Sequence, residues 1–435
     1  MPLLLQDGLD TLIYNTFRDK IGSYTLRNDI SRENVTLMFA EIFRYLGHAD
    51  LKINGDTLVY TSSKEHPPLV VDDSGYKAGK QLIESFLIKI ERVVSGEISI
   101  IEYESFIGNN MVEEDRLEDL NITLQLIKRL KKGLGPDRKA EGKVEWLNGT
   151  YLFFEGKISE ARRHFLYSLR AYLRDDNMEG VGDAYLALAN VEGNSNNVEK
   201  ALAFYDKAYS AYREINSEKG MAKVNANVSQ LYARNGMLWK ANWYLRLASR
   251  TFELMHDKNY LRKIFINKAA LMISHGKYKD AFEHADYASY ASLEVGSDRL
   301  YYLSNLSMVE IEIARRKYKS NRSRVEEAIN YFKKNHLIDD LAFSYGVLAM
   351  YHLSKREEPM AFNIIKKMID TYIAAADIAG LVAIAIRLMR MMVIYKNDDK
   401  FMKKCHDLFV STLSKYNQDE NYISSVLVFY IPQKF

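Results

Sequence analysis

The chain has 435 residues, 47% of them hydrophobic, with one cysteine, six prolines, 30 tyrosines, 19 phenylalanines and a net charge of +3. A single cysteine excludes a disulfide-stapled fold, the aromatic content excludes a disordered chain, and no run of about 18 apolar residues marks a membrane span. The charge is uneven: residues 1–120 hold 12 Lys/Arg and 21 Asp/Glu, or −9, and the remainder carries +12.

The opening Met-Pro-Leu-Leu-Leu meets Asp7 at once and is too short for a signal peptide, so a cytoplasmic protein is expected. Residues 3–20 and 33–46 have helical spacing of apolar positions. Between Leu51 and Tyr60, Asn54-Gly55 separates two β-rich flanks, the pattern of a hairpin with a type I′ turn. Residues 67–71 could add a third strand, and helices are predicted at about 76–94, 98–108 and 114–131. The clearest breaker cluster is Gly133-Leu-Gly-Pro136-Asp, which suits a domain boundary.

Two segments of this first part invite chemistry. Residues 69–82 place Gly75, Gly79 and Lys80 between a strand and a helix, the setting of a phosphate-binding loop. The spacing is one residue short, Gln81 stands where Ser or Thr would hold Mg²⁺, and Asp72 and Asp73 repel phosphate; a strand-to-helix turn is the simpler reading. Helix 33–46 followed by the hairpin resembles a winged helix, which would suggest DNA binding. Nonspecific DNA affinity comes largely from Lys and Arg on phosphates. Arg44 and Lys52 are the only cations on that helix and ribbon, within an acidic segment, so nucleic acid is disfavoured as a partner.

From Trp146 onward the chain repeats. Alanines fall at 161, 201, 241 and 281, an unbroken period of 40. Small residues stand twelve positions earlier (Gly149, Ala189, Ser229, Ala269), and Gly or Asn at 156, 196, 236 and 276 tolerates the positive φ of a helix end. The pattern is a helical hairpin: the small residue of helix A meets the alanine of helix B, and hairpins stack because one pair cannot bury its apolar faces alone. Farther on, Ala328 with Phe332 and Ala361 with Ile365 read as two more B helices, with spacings of 47 and 33 that break the period. The basic insert around Lys317–Arg324 is expected to absorb the excess. A last hairpin is predicted over 380–416, turning at Lys396, and the apolar run Tyr422–Tyr430 reads as a cap.

These residues resemble the tetratricopeptide (TPR) family, in a variety with repeats longer than the usual ~34 residues. The match covers roughly residues 139–295 well. Long repeats of this kind occur in regulatory TPR proteins, including bacterial peptide-pheromone receptors. The resemblance implies a mainly α fold: a right-handed α-solenoid of TPR-like hairpins preceded by a small α/β domain. The expected organisation is residues 1–95 as that α/β domain, 96–137 as a helical connector, 138–420 as a solenoid of six to seven hairpins, and 421–435 as a C-terminal cap or tail.

In such proteins the inner face of helix A binds peptides. Two positions before the small residue stand Asn227 and Asn267, six before it Lys223 and Lys263, one after it Asn190 and five after it Arg234. Lys223 with Asn227 and Lys263 with Asn267 are each i,i+4 and share a helix face. Asn190, Asn227 and Lys263 match three places of the carboxylate clamp of some TPR domains, whereas Leu186 and Asn267 depart from it. The nine histidines form no His-Glu-x-x-His motif, and Cys405 reads as a core residue. The expectation is a non-enzymatic scaffold or adaptor that binds an extended or acidic peptide, with no catalytic residue, metal or cofactor and no membrane partner. It is compatible with a homodimer. The competing readings are a ligand-responsive transcription regulator and, least favoured, a nucleotide-dependent enzyme.

Overall fold

The computed structural model describes residues 50–54 and 57–61, residues 89, 92, 93 and 95, and residues 97–416 other than 114–116, 136, 295–296 and 317–320. The predicted helices 3–20 and 33–46, the third strand, the loop at 69–82, most of helix 76–94 and the tail 422–430 lie outside them. So do the residues of the nucleotide reading and the helix of the winged-helix reading, whose hairpin strands alone are described. Two compact units divide the chain near Ala140.

In the first unit, β1 (Asp50–Asn54) and β2 (Thr57–Thr61) pair antiparallel with Asn54 opposite Thr57. Asn54 is thus paired in the ladder and is not a central residue of the turn, which corrects the Asn54-Gly55 expectation by one residue. Helix α1 (Ile100–Glu113) opens on a capping box. The Glu102 amide donates to Ser99 Oγ and the Ser99 amide donates to Glu102 Oε2, both at 2.9 Å. Helix α2 (Leu117–Leu134) buries Leu120, Leu124 and Ile127, and α1 buries Tyr103, Ile107 and Met111.

The second unit is an α-solenoid, with seven helical hairpins among the described residues. Their A helices are α3 (Glu141–Phe154), α5 (Met178–Asn194), α7 (Glu218–Arg234), α9 (Lys258–Ser274), α11 (Asp298–Ala314), α13 (Ile338–Ser354) and α15 (Ile378–Tyr395). Their B helices are α4 (Ile158–Arg174), α6 (Val198–Glu214), α8 (Leu238–Leu254), α10 (Tyr278–Glu294), α12 (Asn321–Lys334), α14 (Glu358–Ala374) and α16 (Asp399–Leu413). The small A-helix residues and the B-helix alanines meet as the spacing requires. Ala161, Ala189, Ala201, Ala241, Ala269 and Ala281 are fully buried. A Cβ on Gly149 would stand 2.6 Å from the Phe165 ring, and Ser229 Oγ donates to the carbonyl of Ala241 at 2.8 Å.

The period does not break after residue 300. Positive φ recurs every 20 residues, at Gly156, Asp176, Asn196, Asn216, Gly236, His256 and Gly276, and again at Arg316, His336, Arg356, Ala376 and Lys396. Each left-handed residue closes a Schellman-type turn. The amide just past that residue reaches back into the helix, as from Lys157 to the carbonyl of Leu152 and from Met237 to that of Tyr232, both at 2.9 Å. Ala361 therefore sits two full repeats after Ala281, and the position midway between them, in the fifth hairpin, is held by Asn321. Ala328 belongs to a later turn of α12, which corrects the spacings of 47 and 33. There is no inserted length for a basic segment to absorb.

Helix α15 has a mean hydropathy of 1.9 and is the one described helix long and apolar enough to cross a membrane; 61% of it is buried within the array. Its two arginines have partners there. Arg387 Nε donates to Glu310 Oε1 at 2.7 Å. Arg390 donates to the carbonyls of Ile273 and Ser274 at 3.2 Å, closing the C-terminus of α9. The last hairpin thus lies against the third, fourth and fifth, and the superhelix closes on itself.

Candidate ligand-binding surface

The 40-residue repeat places Lys143, Asp183, Lys223 and Lys263 at one position of four successive A helices. Asp183 is the hub of the row. It lies 3.5 Å from Lys143 Nζ and 3.9 Å from Lys223 Nζ, and it accepts a 2.6 Å hydrogen bond from the Tyr212 hydroxyl. Burial pushes its carboxyl up, but Lys223, Lys143 and Tyr212 together outweigh that and leave it below the ordinary carboxylate value. Asp183 is thus held ionised inside the array.

Beyond it stands Tyr260. Asp257 caps α9 by accepting from the Tyr260 amide at 3.1 Å, and the Tyr260 ring stacks on Phe252 with centroids 4.7 Å apart. Three ammonium groups surround that ring: Lys219 at 5.1 Å, Lys223 at 5.4 Å and Lys263 at 5.1 Å from its centroid. That is within cation–π range. Neither Tyr260 nor Asp183 follows from the offsets of Asn227, Lys223, Asn190 and Arg234 to the small residue of helix A, although counting back 40 from Lys223 reaches Asp183 and then Lys143.

The three predicted asparagines lie half-buried on consecutive A helices. Asn190 accepts from the Tyr205 hydroxyl at 2.7 Å, and Asn267 accepts from Gln230 Nε2 at 3.0 Å. The Asn227 side chain makes no hydrogen bond among the described residues. The side-chain amide nitrogens of all three have no acceptor there, so each retains two donors for an incoming carbonyl or carboxylate. Arg234 has a different setting. It donates to Asp377 at 2.9 Å and to Asn194 at 3.1 Å, tying the third hairpin to the seventh.

The expectation for Cys405 is met. Cys405 is fully buried in α16, and burial pushes its thiol up to about 12. Among the described residues no group of three or more His, Cys, Asp and Glu could hold a metal ion.

No family model matches the chain, and no curated protein matches it by sequence. Solved structures do match. The Rap protein complexed with Competence and Sporulation Factor superposes with a TM-score of 0.57 at 14% identity, covering 77% of this chain and 94% of its own. NprR in complex with its cognate peptide NprX superposes with a TM-score of 0.51 at 14% identity, covering 79% and 98%. The fold is that of a TPR-like α-solenoid. These likenesses span nearly the full length of both solved chains, and at 14% identity what they share with this chain is architecture.

Proposed function

We propose that this TPR-like protein is a non-enzymatic, peptide-binding regulator or adaptor whose A-helix surface takes an extended segment with an acidic group. The observation that carries the reading is the set of half-buried Asn190, Asn227 and Asn267 amides, unspent as donors, beside Lys223 and Lys263. An extended peptide exposes a carbonyl on alternate sides, and amide side chains on successive helices are suited to take such acceptors. The lysines around Tyr260 supply a partner for a carboxylate. Arg234, already paired with Asp377, bounds that surface where the superhelix closes. The two solved TPR-like structures were each determined with a peptide or factor bound, which supports the same class of ligand for this architecture.

The test is a selection from a displayed library of random peptides on the full chain. Wild type is expected to enrich sequences that share an acidic position, and the Asn227→Ala, Lys263→Ala double variant to lose that enrichment at unchanged helicity. Enrichment of the same sequences by both proteins, or of none by either, would contradict the reading.

A further inference from the structure

The outer surface of the solenoid carries a second, unrelated feature. Helix α8 turns Trp239 and Trp243 to solvent, 73% and 60% exposed, with Leu247 one turn farther on the same stripe. Large aromatic side chains this exposed are uncommon on a surface with no partner and are typical of interface anchors. Arg246 and Arg250 flank the stripe, exposed and without an ion-pair partner among the described residues. The next outer helix, α10, presents exposed Tyr287 together with the acidic residues Asp280, Glu283 and Asp286. One helix is aromatic and basic, and its neighbour is aromatic and acidic.

The 40-residue repeat gives this pairing a register. Equivalent heights on α8 and α10 differ by 40 in number, so Lys240 stands level with Asp280, Arg246 with Asp286 and Leu247 with Tyr287. A two-fold axis along the helices, midway between α8 and α10, lays α8 of each copy on α10 of the other at those same heights. We propose that this face is a self-association surface: a second copy of the chain docks on it, with the tryptophans as anchors and Lys240 and Arg246 of each copy against Asp280 and Asp286 of the other. Such a contact is isologous and closed, so it stops at a dimer. An anionic lipid surface fits less well, because the three carboxylates of α10 share the face with the tryptophans. Two helices of 17 residues form a patch about 25 Å long, small for a specific interface, so the dimer should dissociate on dilution.

Sedimentation velocity of the full chain over a concentration series tests this. Wild type should pass from monomer to dimer. The variants Lys240→Glu with Arg246→Glu, and Asp280→Lys with Asp286→Lys, should each need about tenfold or more protein to dimerise, because every attractive pair becomes a repulsive one. An equimolar mixture of the two variants should restore the dimer, since both helix contacts are then complementary again. Should either double variant unfold by circular dichroism, Trp243→Glu carries the same prediction of a monomer. Wild type that stays monomeric, dimers indifferent to all three changes, or a mixture that stays monomeric would overturn the proposal. So would a wild-type monomer that binds anionic phosphatidylserine vesicles through Trp239 and Trp243.

Discussion

Arg234, at the end of the third A helix, and Asp377, at the start of the seventh, are 143 residues apart in sequence and 2.9 Å apart in space. The carboxylate is 2% exposed and also caps α15 by accepting from the Gly380 amide at 2.8 Å. Around the pair gather Asn194, which Arg234 also contacts, and Asp339 on α13. Nearby, Arg299 holds Asp340 through two hydrogen bonds of 2.6 and 3.1 Å and lies over the Phe154 ring at 4.7 Å. Every hairpin except the fourth sends a residue to this knot, from α3, α5, α7, α11, α13 and the start of α15. It is the lock of the closed superhelix.

Removing one partner of a buried pair leaves the other charged and unsolvated, which costs more than the pair itself contributes. Arg234→Ala is therefore expected to destabilise the protein by roughly 3 kcal/mol. Asp377→Asn, which keeps the cap and a hydrogen-bond acceptor, should cost less. Urea unfolding checks the order, and equal midpoints for Arg234→Ala and wild type would show that the lock carries no stability.

The same knot makes stability depend on pH. Burial, reinforced by Asp377 and Asp340 and opposed by Arg234 and Arg299, pushes the Asp339 carboxyl well above its ordinary range. The native state then retains a proton that the unfolded chain releases, so this contribution is full below the unfolded value and is lost as pH rises toward the native one. Asp339→Asn removes the dependence. Its melting temperature should exceed that of wild type most at about pH 8 and converge with it near pH 4. A gap that widens toward acid would contradict the assignment.

The turn register makes a separate prediction. Arg356 holds φ +58° and Gly236 holds φ +71°, at equivalent turns three hairpins apart. A side chain in the left-handed region costs about 1 kcal/mol relative to glycine. No atom stands within 4 Å of a Cβ placed on Gly236, so Gly236→Ala would be a pure conformational penalty. Arg356→Gly should stabilise, and Gly236→Ala should destabilise, each by about 1 kcal/mol in thermal or urea unfolding. Opposite signs would mean that the 20-residue turn register is not what sets these positions.

This register explains what the sequence disclosed and what it hid. Up to residue 281 the left-handed position of each hairpin turn is Gly or Asn and the B-helix contact is Ala, so the period is visible. Beyond it the same places hold Arg316, Arg356, Lys396 and Asn321, residues with no intrinsic signature for either role, and the period vanishes from the letters while persisting in the fold. Packing of the whole array, not local preference, holds those turns. On the inner surface the Lys223, Asn227, Lys263 and Asn267 rows were legible because they repeat at 40. The partner of Arg234 was not, because a contact across 143 residues follows from superhelical closure and leaves no local pattern. Tyr260 was missed for a related reason: it replaces the glycine that stands at that place in the two preceding repeats, Gly180 and Gly220.

In the proposed function the A-helix surface, and not the outer face, receives the peptide. Hydrogen exchange of the full chain with and without a peptide obtained by the selection described above measures this directly. New protection is expected to centre on α5, α7 and α9, around Asn190, Asn227 and Asn267, and to be lost in the Asn227→Ala, Lys263→Ala variant. Protection confined to α8 and α10, or unchanged by those substitutions, would contradict it.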